Sequence, residues 1–392
     1  MYTTRQDMKL LTVNYKTPPK IQEGLALCLG YFDGVHSGHI ALIKHGHMNR
    51  IYDGEDNLAL GVLTFNNPIA KFKDTGKSKE ILTTIEDRLS MISNLDIVDY
   101  LLVMHVDANF TNLSPEDFIN ILKKMNVKQV FCGSDYHFGK DGAGDVELLN
   151  KHFVVNVLGI HNPFEEKIST HTIIDGIKNG EIEKANKELG YHYAITGKVV
   201  QGKKKGRDLG FPTMNVKPVA NYVLPKFGVY KSRVVVGVRE YLGMTNVGMR
   251  PTLGYEGEEP GIETHLIDIK VDELYGEEVI VTFEEFIREE KKFDSVDELK
   301  AQIARDLESI KKTVQAQGNY RPVVDNSPLK LSDNLDRLVI DFGYNPDIVR
   351  KVLSSSIVTV RGFLGSEEVL KNVLTPEELN DLKKVIASHM IY

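Results

Sequence analysis

The chain has 392 residues, 42% hydrophobic and 26% charged, a composition of ordinary soluble proteins that at this length predicts two or three domains. A formal net charge of −7 argues against non-specific nucleic-acid binding by the whole chain. No apolar run nears the roughly 20 residues that span a bilayer, and Met1–Met8 lacks a charged-then-apolar secretion pattern, so the expectation is a cytoplasmic protein without a membrane partner.

Up to about residue 160, apolar strand-like runs alternate with helical patterns. Candidate strands are Leu25–Leu29, Leu58–Phe65, Tyr100–His105 and Gln129–Cys132, and candidate helices include Thr84–Ser93 and Ser114–Lys124. Strands separated by helices imply a parallel sheet covered on both faces, with ligands beyond the carboxyl ends of the strands. At that end of the first strand stands Leu29-Gly-Tyr-Phe-Asp-Gly-Val-His-Ser-Gly-His39, followed by the helix-like Ile40–Lys44. Its glycines let the backbone approach an anion, the helix start offers free N–H groups, and His36 and His39 are donors for phosphate oxygens. A tight strand-to-helix turn with two surface histidines has the same pattern. Cys28 and Cys132 lie in strand-like runs and read as packing residues, not as a disulfide or metal pair.

A polar helix is expected over Ile173–Leu189, and the texture changes after Tyr193. Alternating β-branched runs (Ala194–Val200, Gly228–Val236, Ile262–Ile269, Glu278–Phe283) between Gly, Pro and Asn turns predict an antiparallel barrel, closed by a helix over Ser295–Ile310. Gln315 opens a linker-like stretch, and helical segments follow over roughly 331–392, among them Leu335–Phe342 and a strong helix start at Thr375-Pro-Glu-Glu-Leu. The expected domains are 1–185, 186–315 and 319–392.

The barrel region carries a second phosphate-type cluster, Gly202-Lys-Lys-Lys-Gly-Arg-Asp-Leu-Gly-Phe-Pro-Thr-Met-Asn215. Glycines around lysines and an arginine make a flexible cationic loop, and Thr213 and Asn215 offer hard oxygen ligands of the type Mg²⁺ accepts beside phosphate. Together with Leu224–Tyr230, Asn246–Thr252, Glu263-Thr-His265, Leu274–Gly276 and Ile287–Phe293, this cluster resembles the bifunctional bacterial riboflavin kinase/FMN adenylyltransferase family over residues ~20–310. In the amino-terminal half, Gly30–His39 resembles the family's GxFDGVHxGH signature, and Gly133–Gly139 with Gly144-Asp145 resembles part of a second one.

The resemblance implies a Rossmann-like α/β nucleotidyltransferase domain, then a riboflavin kinase β-barrel, with a small helical appendage beyond the family's usual end. It implies phosphorylation of riboflavin by ATP with Mg²⁺, and adenylylation of FMN to FAD and pyrophosphate. Thr213 and Asn215 would hold the metal, Glu263 would be the general base, and Gly202, Lys205, Gly206 and Arg207 would meet the ATP phosphates. Gly30, Phe32, Asp33, Gly34 and Gly38, with His36 and His39 as catalytic groups, would form the second phosphate site. Asp135 and Arg288 would lie on the flavin sides.

Several positions depart from the family pattern. Phe65-Asn-Asn-Pro-Ile69 lacks the histidine expected after the second strand, Ile174 stands where an arginine is expected, and His137 and Gly142 replace two further arginines. Isoleucine cannot supply a guanidinium fork to phosphate, so the expectation is an adenylyltransferase site weakened relative to the kinase. A flavin- and nucleotide-sensing regulatory protein is the rival reading. The tail either docks on the barrel or serves self-association or a partner.

Overall fold

The computed structural model describes residues 8–53, 56–72, 80–159, 168–202, 206, 209–237, 239–251, 258–267, 274–316, 345–353 and 370–389. The chain divides at Ile195/Thr196 into two units, and Ala220–Lys226 belongs with the first.

The first unit begins with β1 (Lys9–Val13), β2 (Leu25–Leu29) and α1 (Ser37–Asn49). A two-residue hairpin, β3 (Tyr52–Asp53) with β4 (Asp56–Asn57), precedes β5 (Ala59–Phe65), α2 (Ile85–Ser93) and β6 (Tyr100–Met104). Next come α3 (Pro115–Lys124), β7 (Val127–Gly133), α4 (Val146–Asn150) and β8 (Val154–Leu158), then α5 (Thr170–Asn179) and α6 (Ile182–Leu189). Six strands form one parallel sheet in the order β1-β6-β5-β2-β7-β8. Central β2 is apolar throughout because both its faces are covered: Leu25, Leu27 and Leu29 join one core cluster, Ala26 and Cys28 the other. Burial pushes the Cys132 thiol up to about 11 and Cys28 higher still, as inert packing residues require.

Helix starts follow local capping chemistry. Thr84 and Asp87 form a reciprocal capping box on α2, and Ser114 and Asp117 do the same on α3, with Pro115 at its first position. The single helix expected over Ile173–Leu189 is two, because Gly180 ends α5 in the left-handed region at φ 83°. Residues 220–226 complete this unit from later in the sequence. Ile81 N–H donates to Asn221 and Val223 N–H to Ile81, while the Tyr193 hydroxyl donates to the Val223 carbonyl at 2.7 Å.

The second unit is a closed barrel of β9 (Ala194–Val200), β10 (Met214–Pro218), β11 (Gly228–Val236), β12 (Arg239–Pro251), β13 (Glu258–Leu266) and β14 (Glu278–Arg288), in the order β10-β13-β12-β11-β14-β9. Helix α7 (Val296–Ala316) lays Leu307 and Ile310 against Leu242, Met244, Ile267 and Ile287. Beyond it, α8 (Pro346–Leu353) and α9 (Pro376–His389) are joined by an ion pair of 2.6 Å between Lys351 and Glu378. Thr375 and Glu378 cap α9 reciprocally. Leu335–Phe342 lies outside the described residues. No helix among the described residues is long and apolar enough to cross a membrane.

Inside the barrel, Ser232, Thr245 and Thr264 are fully buried and form a ladder of hydroxyls at 2.7 and 2.8 Å. Thr245 is its middle rung. Valine has nearly the same shape and no hydroxyl, so Thr245→Val leaves both neighbours without a partner. The expected loss is about 1–3 kcal/mol, measured as a lower urea midpoint for barrel unfolding.

Candidate active sites

The turn between β2 and α1 is held in a conformation that its residues would not adopt alone. Phe32, Gly34 and Val35 all have positive φ, at 56°, 78° and 34°. For Gly34 this is inexpensive, but for Phe32 and the β-branched Val35 it is strain that the surroundings must impose. The Asp33 carboxylate imposes it, accepting from Leu82 N–H, Thr83 N–H and the Thr83 hydroxyl at 2.9–3.1 Å. Thr83 Oγ1 in turn accepts from Gly34 N–H at 2.9 Å, and the Tyr191 hydroxyl donates to the Gly34 carbonyl. Phe32 is fully buried and its ring lies under Gly30. Side chains of Phe32 and Asp33 therefore build the turn from inside, and what the turn offers a ligand is its backbone and its histidines.

His36 is the N-cap of α1, its Nδ1 accepting from His39 N–H at 3.4 Å. That fixes its proton on Nε2. The His36 and His39 rings stack with centroids 3.6 Å apart, and Gly38 packs on the His36 ring. Burial pushes His36 down to about 4. Burial, then the neighbouring His36, then the Arg88 guanidinium hold His39 well below the ordinary histidine range. Both imidazoles are neutral at pH 7.

Arg88 was not legible as a site residue. It is only 1% exposed on α2, and its guanidinium donates to the Tyr31 and Phe65 carbonyls, the Thr64 hydroxyl and the Thr84 carbonyl at 2.9–3.3 Å. The signal was a charge four residues before Ile92, on the buried face of an amphipathic helix.

Asp135 is exposed just past the end of β7, and His137 Nδ1 donates to the Asp135 carbonyl at 2.9 Å. The loop they belong to is closed by paired backbone bonds between Phe138 and Gly144. Ser169 caps α5, His171 is exposed and pairs with Asp175 at 3.4 Å, and Ile174 is half-buried. Asn66, in the turn lacking the expected histidine, bonds the His105 ring at 3.1 Å and Val106 N–H at 2.9 Å.

In the barrel, one register row passes through Asn215 on β10, Glu263 on β13 and Asn246 on β12. Residues paired across antiparallel strands share a face with Cβ atoms roughly 5 Å apart, so these three side chains stand side by side. Their chain neighbours Met214, Thr264 and Thr245 point into the buried interior, which puts the row on the barrel's outer face. Sequence pattern alone did not single out Asn246, because register is not written in any one strand.

Two described glycines of the Gly202–Asn215 cluster lie against Asn215 and Thr213. A Cβ on Gly202 would run into the Asn215 amide, and one on Gly206 would meet the Thr213 hydroxyl at 2.9 Å and the Phe211 carbonyl at 2.5 Å. At Gly206 the obstacle includes backbone, whereas at Gly202 it is the end of the Asn215 side chain. His265 Nδ1 donates to the Pro212 carbonyl at 2.8 Å, tying the loop to β13 beside Glu263. Lys205 and Arg207 lie outside the described residues. The Arg288 side chain turns to α7, donating to Asp306 Oδ2 at 2.8 Å. Thr213 and Asn215 each carry a hard oxygen donor beside a glycine, a donor type that fits Mg²⁺ arriving with a nucleotide.

The comparisons match each unit separately. The riboflavin kinase family model matches residues 189–314 and the FAD synthetase model residues 18–170. A bifunctional riboflavin kinase/FMN adenylyltransferase of Listeria monocytogenes is 36% identical over 71% of this chain and 89% of its own length. Its counterpart in Escherichia coli is 35% identical over 76% of this chain and 96% of its own. A crystal structure described as a macrolide-efflux protein from Streptococcus pneumoniae superposes with a TM-score of 0.68 at 30% identity, covering 77% of this chain and 98% of that one. The chain belongs to the bifunctional riboflavin kinase/FMN adenylyltransferase family.

Proposed function

We propose that this protein phosphorylates riboflavin to FMN with ATP in the barrel and adenylylates FMN to FAD with a second ATP in the parallel-sheet unit. The observation that carries the reading is the register row that pairs Glu263 with Asn215, with Gly202 packed on the Asn215 amide and Gly206 on the Thr213 hydroxyl. The Glu263 carboxylate accepts the proton of the riboflavin 5′-hydroxyl as that oxygen attacks the γ-phosphorus and ADP leaves. Thr213 and Asn215 would hold Mg²⁺, which neutralises phosphate charge when bound. Asn246, next to Glu263 in the row, donates to Glu290 at 3.2 Å and leaves its own carbonyl oxygen to orient a hydroxyl. Arg288 acts as a brace between β14 and α7, at the edge of the flavin side.

In the other unit a phosphate oxygen of FMN attacks the α-phosphorus of ATP and pyrophosphate departs. The turn's N–H groups and the Nε2–H of a neutral His36 donate to the phosphate oxygens as charge develops. Asp135 would sit on the flavin side of this site. The missing arginine at 174 weakens this half without removing its turn. The family's paired activities favour an enzyme over a sensor.

Two measurements test this reading. With riboflavin, ATP and Mg²⁺, both FMN and FAD are the expected products. Glu263→Gln should lower riboflavin phosphorylation by about 100-fold or more while riboflavin affinity and adenylylation of supplied FMN persist; phosphorylation at the parental rate rejects the base assignment.

A separate prediction concerns stability against pH. His36 titrates near 4 when folded against an ordinary 6.5, so the unfolded chain binds more protons between those values. Stability therefore falls as pH drops below about 6.5 and stops falling below about 4, by on the order of 3 kcal/mol from this group. Chemical denaturation across that window should show the loss. His36→Asn, which keeps a helix cap and removes this titration, should take away the His36 share and leave the loss due to His39.

A further inference from the structure

We propose that Arg88 is a positioning residue for adenylyl transfer, the permanent cation that orders the Gly30–His39 turn and holds negative charge over it. The inference rests on the adenylyltransferase reading above. It starts from an absence within the motif itself: Gly30–His39 contains no lysine or arginine, and Ile168–Ile174 contains none either. The two histidines of the turn are neutral at pH 7. A site for a triphosphate thus has no fixed cation among its own motif residues.

Arg88 supplies one from beneath. Its Nη1 reaches the Tyr31 carbonyl at 2.9 Å, inside the turn, and the Phe65 carbonyl at 3.1 Å, at the end of the neighbouring β5. Thr64 Oγ1 accepts from the same nitrogen at 2.9 Å and itself donates to the Tyr31 carbonyl at 2.8 Å. The guanidinium lies over the Tyr31 ring, 4.5 Å from its centroid. It thereby ties the carboxyl ends of two adjacent central strands, where ligands of such sheets bind. All its bonds go to neutral oxygens, and among the described residues no carboxylate lies within ion-pair distance. A buried cation left unpaired is costly in the free protein, and that cost is recovered when an anion binds nearby. Its field is felt at both sides of the turn, holding down the His39 imidazole and opposing the burial that raises the Asp33 carboxyl.

The test uses the whole chain with Arg88→Gln and Arg88→Lys, following adenylylation of supplied FMN, riboflavin phosphorylation, and the NMR titration of His39 without substrate. Arg88→Gln should cut adenylylation by about 100-fold, with Arg88→Lys within about tenfold of the parent and riboflavin phosphorylation within about twofold. His39 should titrate at higher pH in the Gln variant, because a repelling cation is gone, and near its parental pH in the Lys variant. A folded Gln variant adenylylating within about threefold of the parent overturns the proposal. So does equal loss in both variants with no movement of His39, the signature of a merely structural plug. If the Gln variant fails to fold, Arg88→Lys decides: turnover within about tenfold and an unmoved His39 support the charge, and background turnover rejects it. If the parent itself makes no FAD while His39 moves in the Gln variant, the adenylyltransferase reading fails and the electrostatic role of Arg88 stands.

Discussion

The parallel-sheet unit depends on one buried carboxylate. Asp33 gathers two backbone N–H groups and a hydroxyl from residues 82–83, some 50 positions away. Hydrogen bonds to a charged group are worth about 1.5–3 kcal/mol each, and each strained backbone position costs about 1–3 kcal/mol. Three or four such bonds therefore over-determine the two non-glycine residues held at positive φ. Burial still raises the Asp33 carboxyl, so the clamp is a balance between desolvation and its donors rather than a relaxed ion pair. The geometry of the histidine pair is set by this clamp and by the His36 cap that follows it.

The barrel solves its own positioning problem by register. Asn215, Glu263 and Asn246 come from three strands far apart in sequence, and closing the sheet fixes which of them face each other. A slip by one residue on any strand would send its member of the row into the interior. The buried hydroxyl ladder one position along pins the β12–β13 part of that register, since Thr245 and Thr264 bond directly across it, and Ser232 extends the ladder to β11.

What the sequence revealed follows the same division. Leu25–Leu29, Ala194–Val200 and Gly228–Val236 were legible because continuous or alternating apolar patterns report burial directly. The edge strands β1 and β8 were not seen, being short and partly exposed, and β12 is broken in pattern by Gly243, Asn246 and Gly248. Motif residues were legible as positions but not as roles. Asp33 looks like a ligand group and turns inward, and Arg288 looks like a substrate contact and holds Asp306. In each case the partner is remote in sequence or on another element, and no local pattern announces it.

Residues 220–226 give the molecule a modularity that differs from its linear map. The polypeptide leaves the barrel after β10, lends a short stretch to the fold built by the first half, and returns as β11. Its backbone bonds fall on Ile81, immediately before the Leu82–Thr83 pair that grips Asp33. A gene fusion or domain exchange that cuts cleanly near residue 195 would thus separate the nucleotidyltransferase fold from one of its own supporting segments. A domain exchange that is to keep the first unit whole must therefore carry residues 220–226 with it.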